Sequence, residues 1–98
     1  QTEENPMSAF IIVDMTPLNA DKLKEYGAAA ASTIAQYQGE FVVKGPIESL
    51  NGGEHHQNKV VIQFPDRQAA VNWYHSAEYQ AIIPLRDQGM DSVFHLVG

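Results

Sequence analysis

Apolar positions fall along this chain in two rhythms. Ala9-Phe10-Ile11-Ile12-Val13-Asp14-Met15 is a short β-branched run closed by Thr16-Pro17, the pattern of a strand buried on both faces. Alternation puts Phe10, Ile12 and Asp14 on one side and Ile11, Val13 and Met15 on the other. The rhythm then lengthens. Leu23, Tyr26, Gly27, Ala30, Ile34 and Tyr37 recur at steps of three and four, which predicts an amphipathic helix from Ala20 to about Gln38. Asn19 caps it and Gly39 stops it. Gly27–Ala31 is a run of small residues. Gly27 costs such a helix ~1 kcal/mol against Ala, so it points to a close neighbour, the sheet first of all.

The strand rhythm returns at Glu40-Phe41-Val42-Val43-Lys44, ended by Gly45-Pro46, with Ile47–Leu50 as an extension past a bulge or bend. Asn51-Gly52-Gly53 is a turn. Lys59–Pro65 is the third strand, with Val60, Ile62 and Phe64 facing one way and Lys59, Val61 and Gln63 the other. Asp66 caps a short helix carrying Ala69, Ala70 and Trp73. Ser76 caps a second piece from Ala77, with Tyr79, Ile82, Ile83 and Arg86 at helical spacing. Pro84 has no N–H for Gln80, so this piece kinks or restarts there, and Gly89 ends it. Asp91–Val97 is the fourth strand. His95 shares a face with Val93 and Val97 and reads as a hydrogen-bonded core residue.

The order strand, helix, strand, strand, helix, strand is a split βαβ arrangement: an α+β fold, a four-stranded antiparallel sheet with helices on one face. The helices cover one sheet face, yet the strands carry apolar residues on both parities. The second face calls for cover by another chain, and a homodimer packed sheet to sheet is the simplest solution.

Composition narrows the function. The 98 residues suit one domain, here 8–98, with 1–7 as a tail. A start at Gln1 reads as processed or as carrying added residues. Twelve Asp+Glu against six Lys+Arg give a net charge of −6, which argues against nucleic acid and anionic membrane surfaces. No apolar run reaches the roughly 20 residues of a membrane span. There is no cysteine, which removes thiolate catalysis and Cys-based metal sites. The acidic start is unlike a signal peptide, and with the missing cysteine it leads to the expectation of a cytoplasmic protein. His55 and His56 are adjacent and diverge in an extended segment, so they read as an exposed loop pair, and no metal is expected. No phosphate loop, nucleophile elbow or metal triad is present, and no cofactor is expected.

Phe10-Ile11-Ile12-Val13-Asp14, Phe41–Gly45, Val60–Pro65 with Ala69-Ala70, and above all Ser76-x-Glu78-Tyr79-Gln80 with Pro84-Leu85-Arg86 resemble the DUF1330 family over positions 9–97. The resemblance implies a ferredoxin-like fold of the dimeric α+β barrel superfamily, which dimerises through its sheets. That superfamily includes cofactor-free monooxygenases, EthD-like proteins and muconolactone isomerases. The chain departs from the family pattern at Ala77, where Pro is common, at Gln63, where Glu is usual, and in the Glu54-His55-His56 loop, where an aromatic is common.

Two functional readings follow. One is a small-molecule site between helices and sheet, for a small organic acid or a phenol, with cofactor-free acid–base, monooxygenase-like or isomerase-like chemistry. Asp14 is the base if burial raises its pKa. Arg86 holds a carboxylate or enolate in a bidentate grip, and Lys44 steadies developing negative charge. Trp73 and Tyr79 form the walls. This reading expects Asp14 and Arg86 or Lys44 in one polar cluster over the middle of the sheet. The other reading is a non-catalytic dimeric binding or scaffold module, in which those charges are structural pairs and the aromatics are core.

Overall fold

The structure, a computed structural model, describes residues 8–98; the tail expected over 1–7 lies outside them. The elements are β1 (Ala9–Pro17), α1 (Ala20–Gln36), β2 (Glu40–Pro46), β3 (Asn58–Phe64), α2 (Arg67–Tyr74), α3 (Ala77–Gln80), α4 (Ile83–Gly89) and β4 (Met90–Val97). The strands form one antiparallel sheet in the order β2-β3-β1-β4. The expected α+β architecture is therefore the one observed, with β1 inside the sheet.

Each expected helix start is made by the expected side chain. Asn19 Oδ1 accepts from Lys22 N (3.1 Å), Asp66 Oδ1 from Ala69 N (2.8 Å) and Ser76 Oγ from Tyr79 N (3.1 Å). Pro84 stands in the first turn of α4, where its missing N–H costs nothing, so the helix restarts rather than bends. The end of α1 differs from expectation. Gln38, not Gly39, takes the left-handed conformation (φ 65°). Gly39 is there for space: a Cβ on it would stand 2.7 Å from both Ile34 Cγ2 and Phe64 Cε2. Beyond β2, Ile47 N donates to Gln57 O, but 47–50 does not continue the strand. Gly52 and Gly53 supply the positive φ of the turn.

The helices cover the face of Ile11, Val13, Ile62 and Phe64, and the core gathers there around Trp73, Tyr79 and Phe64, which are fully buried. The other face carries Phe10, Ile12, Asp14, Val61, Val93, His95 and Val97, placed together by the β1–β3 and β1–β4 registers. His95 lies exposed on that open face, so it is not the core residue expected. The parity was legible, but the strand rhythm does not tell which parity the helices will cover. His56 is held by Thr16, whose Oγ1 is 3.0 Å from its Nδ1, while His55 is exposed.

Candidate functional site

Between α1 and the helix-facing side of the sheet lies a cleft of about 510 Å³. Val13 and Met15 of β1, Val60 and Ile62 of β3 and Phe94 of β4 form its sheet wall. Tyr26, Gly27, Ala30, Ala31 and Ile34 form the helix wall, and Phe41 and Lys44 close it on the β2 side. Volume and apolar lining are those of a small-ligand site.

The small residues of α1 make this space. A Cβ on Gly27 would meet nothing within 4 Å, so the expected close approach of the sheet does not occur there. The close approach is elsewhere. At Gly89 a Cβ would stand 2.8 Å from Leu23 N, because α1 packs its backbone against the end of α4.

A β-bulge sets the β2 side. Phe41 pairs with Ile62, and Lys44 pairs with Val60, with a register shift between Phe41 and Val43. In a regular strand residues three apart face opposite ways; the extra residue in the bulge brings both onto the helix side. Lys44 Nζ lies 4.7 Å from the centroid of the Phe41 ring, a cation–π contact.

Behind the cleft runs a buried polar chain. Tyr26 OH and Tyr79 OH are 2.8 Å apart, and either can donate. Arg86 Nη1 donates to Tyr79 OH (3.2 Å) and to Tyr74 OH (3.1 Å), while its Nε donates to Asp87 (3.0 Å). Trp73 lies against Tyr79, ring centroids 4.4 Å apart, and its Nε1 donates to Thr33 Oγ1 (2.9 Å), which donates to the Ala30 carbonyl (2.8 Å). Burial pushes both phenols above their ordinary range. The Tyr79 phenol is partly relieved by its hydrogen bonds from Tyr26 and Arg86, but burial still outweighs them. Desolvation works against the Arg86 charge, yet hydrogen bonds to Tyr74 and Tyr79 outweigh it and hold the guanidinium above its usual value. Both phenols are therefore protonated at neutral pH and offer hydrogen bonds, not a base.

The five residues expected at the site are divided by this geometry. Arg86, Tyr79 and Trp73 come together, but in the core behind the cleft. Lys44 alone of the five lines the cleft. Asp14 is on the open face, in register with Lys59 and Val93, so the sheet separates it from Arg86 and Lys44. The expected Asp14–Arg86 or Asp14–Lys44 cluster is thus corrected. Asp14 pairs instead with Lys59, Oδ1 to Nζ 3.1 Å. That Oδ1 is shielded from solvent, so the ammonium of Lys59 is the charge that faces it among the described residues. The bidentate grip of Arg86 is also taken up, since Nε and both protons of Nη1 already serve protein oxygens. Sequence reasoning missed Tyr26, Phe41, Phe94, Asn58 and Lys24, all of which line the cleft. The one signal was the Gly27–Ala31 run, read as close packing.

The family model described as a domain of unknown function (DUF1330) matches residues 8–98. The chain belongs to the DUF1330 family. No curated protein matches it. Among solved structures, a protein of unknown function from Rhodopseudomonas palustris superposes with a TM-score of 0.76 at 16% identity, over 95% of this chain and 82% of that one. SnoaB, a cofactor-independent oxygenase from Streptomyces nogalater, gives 0.66 at 15% identity, over 93% and 91%. A dimeric ferredoxin-like protein of unknown function from Thermobifida fusca gives 0.63 at 13%, over 100% and 96%. At these identities the likeness speaks for the fold alone, and the DUF1330 chain shares the ferredoxin-like fold with all three.

Proposed function

We propose that this DUF1330 protein is a dimer that binds a small, largely apolar molecule in the cleft between α1 and the sheet. The observation that carries the reading is the open volume of about 510 Å³ against a wall of Val13, Ile62, Phe41 and Phe94. A concave, mostly apolar cleft of this size is the usual form of a small-molecule site. Cofactor-free chemistry is the activity to look for, because a cofactor-independent oxygenase shares this fold. A second reading, binding without catalysis, is favoured by the lining: among the described residues no carboxylate lines the cleft, and its tyrosine is a buried, protonated phenol.

The dimer rests on the open sheet face. Val43, Val93 and Val97 are 57%, 40% and 53% exposed on it or at its edge, beside Ile12 and Val61. The Asp14–Lys59 pair sits among them, and pairing lowers the cost of burying both charges when a second copy covers the face.

Thermal shift against a panel of naphthols, benzoates and short-chain acids tests the site. A ligand at about a hundred times its Kd adds about 2.7 kcal/mol of stability, a rise of roughly 10–20 °C for a chain this size. Gly27→Leu, which projects a side chain into the cleft from a helix-favourable position, is expected to abolish the response while remaining folded. No response across the panel, or the same response in Gly27→Leu, would overturn the assignment.

A further inference from the structure

The polar groups around the cleft identify the chemical class of its ligand, given that the cleft is a ligand site. Acids outnumber bases twelve to six in this chain, yet among the described residues no Asp or Glu lines the cleft. Two of its four lysines do, Lys24 from α1 and Lys44 from β2. Both are exposed and so stand at the mouth, while the interior is Val13, Ile62 and Phe94. The bulge in β2 is what turns Lys44 to this side, since without it Lys44 would face away from Phe41. At the inner wall the Tyr26 hydroxyl is already engaged by Tyr79. The interior therefore has little to offer a charged group, and the mouth offers two cations, with no carboxylate among the described residues that line it.

We infer that the ligand is an amphipathic organic acid, its apolar body laid against Phe94 and Ile62 and its carboxylate at the mouth between Lys44 and Lys24. Lys44 rests on the Phe41 ring, its Nζ 4.7 Å from the centroid. That contact is weak enough to be exchanged for a carboxylate and strong enough to keep the ammonium at the rim. In this arrangement Phe41 flanks both the ammonium and the apolar body of the ligand. A neutral molecule of the same shape gains the apolar contact but not the ion pairs. An amine of the same shape meets two like charges.

Calorimetric titration of the full chain with matched probes tests this: naphthoate, naphthylmethanol and naphthylmethylammonium, then decanoate and decanol. One of the acids is expected to bind about five- to tenfold tighter than its alcohol, the scale of two exposed ion pairs. That advantage should vanish in about 1 M salt, where the Debye length is roughly 3 Å. It should also shrink in Lys44→Gln and in Lys24→Gln, and survive in Lys44→Arg. The amine should bind worst. Alcohols binding as well as acids would overturn the inference and leave the cleft as a ligand site. An acid preference unchanged by salt and by both Gln variants would also overturn it. Binding by none of the five probes would count against the inference and the cleft reading together.

Discussion

At the scale of single residues, the buried tyrosines decide how this protein meets alkali. Tyr26 and Tyr79 have folded-state pKa values above the ordinary 10.0, burial being the first cause in both. A folded chain that keeps protons which the unfolded chain releases loses stability as pH rises through that release. Their contribution is therefore complete below pH 10.0 and falls above it. The limiting slope is about 1.4 kcal/mol per pH unit for each phenol. Melting temperatures taken from about pH 8 to about pH 11 should be level at first and then drop, and Tyr79→Phe should drop less steeply than the parent. A level profile to the end would mean the phenols are not held as the structure holds them. Sequence reasoning placed Tyr79 beside Arg86 correctly, because seven residues on a helical path share a face, even across the Pro84 restart. It had no means to see that Tyr26, 53 residues away, closes the chain.

At the scale of elements, α1 is held by α4 and stands away from the β2 side of the sheet, and this contact makes the cleft. Gly89 is the pivot. Its carbonyl accepts from Leu18 N (2.8 Å) and Asn19 N (3.2 Å), and it has no room for a side chain against the Leu23 backbone. Gly89→Ala should push the two helices apart and destabilise the fold by about 1–3 kcal/mol, seen as a lower denaturation midpoint. Gly27, with nothing within 4 Å of its missing Cβ, should accept Ala without that cost. An equal loss at both positions would contradict the close α1–α4 contact. The short rhythm of each helix announced its caps and its apolar stripe. The offset between two helices is set by which pair of surfaces fits, and Gly27 and Gly89 look alike in a sequence.

At the scale of the molecule, the proposed sheet-to-sheet dimer is open to direct test. Light scattering at micromolar concentration should return twice the chain mass of 10.8 kDa. Val61→Lys, which adds a charge beside Ile12 and opposite Val43, should return a single chain mass with the far-ultraviolet spectrum kept. A parent protein that stays a folded monomer would sink the sheet-to-sheet dimer. Asp14 belongs to this face, so its replacement by Asn leaves the lining of the cleft unchanged. Among the described residues no helix is long and apolar enough to cross a membrane.

The sequence by itself determined the order of elements, the three helix caps at Asn19, Asp66 and Ser76, and the two-sided apolar character of β1 and β3. These are local matters: a cap bonds within its own turn, and alternation is a property of one strand. Tertiary structure alone decided which parity the helices cover. It sent Asp14 to the open face with Lys59 and kept Arg86 among the tyrosines. It also turned Lys44 into the cleft through a one-residue bulge against Val61. Rhythm carries the relation between neighbours on one element but not the offset between elements. A shift of one residue in that offset moves a side chain to the opposite face.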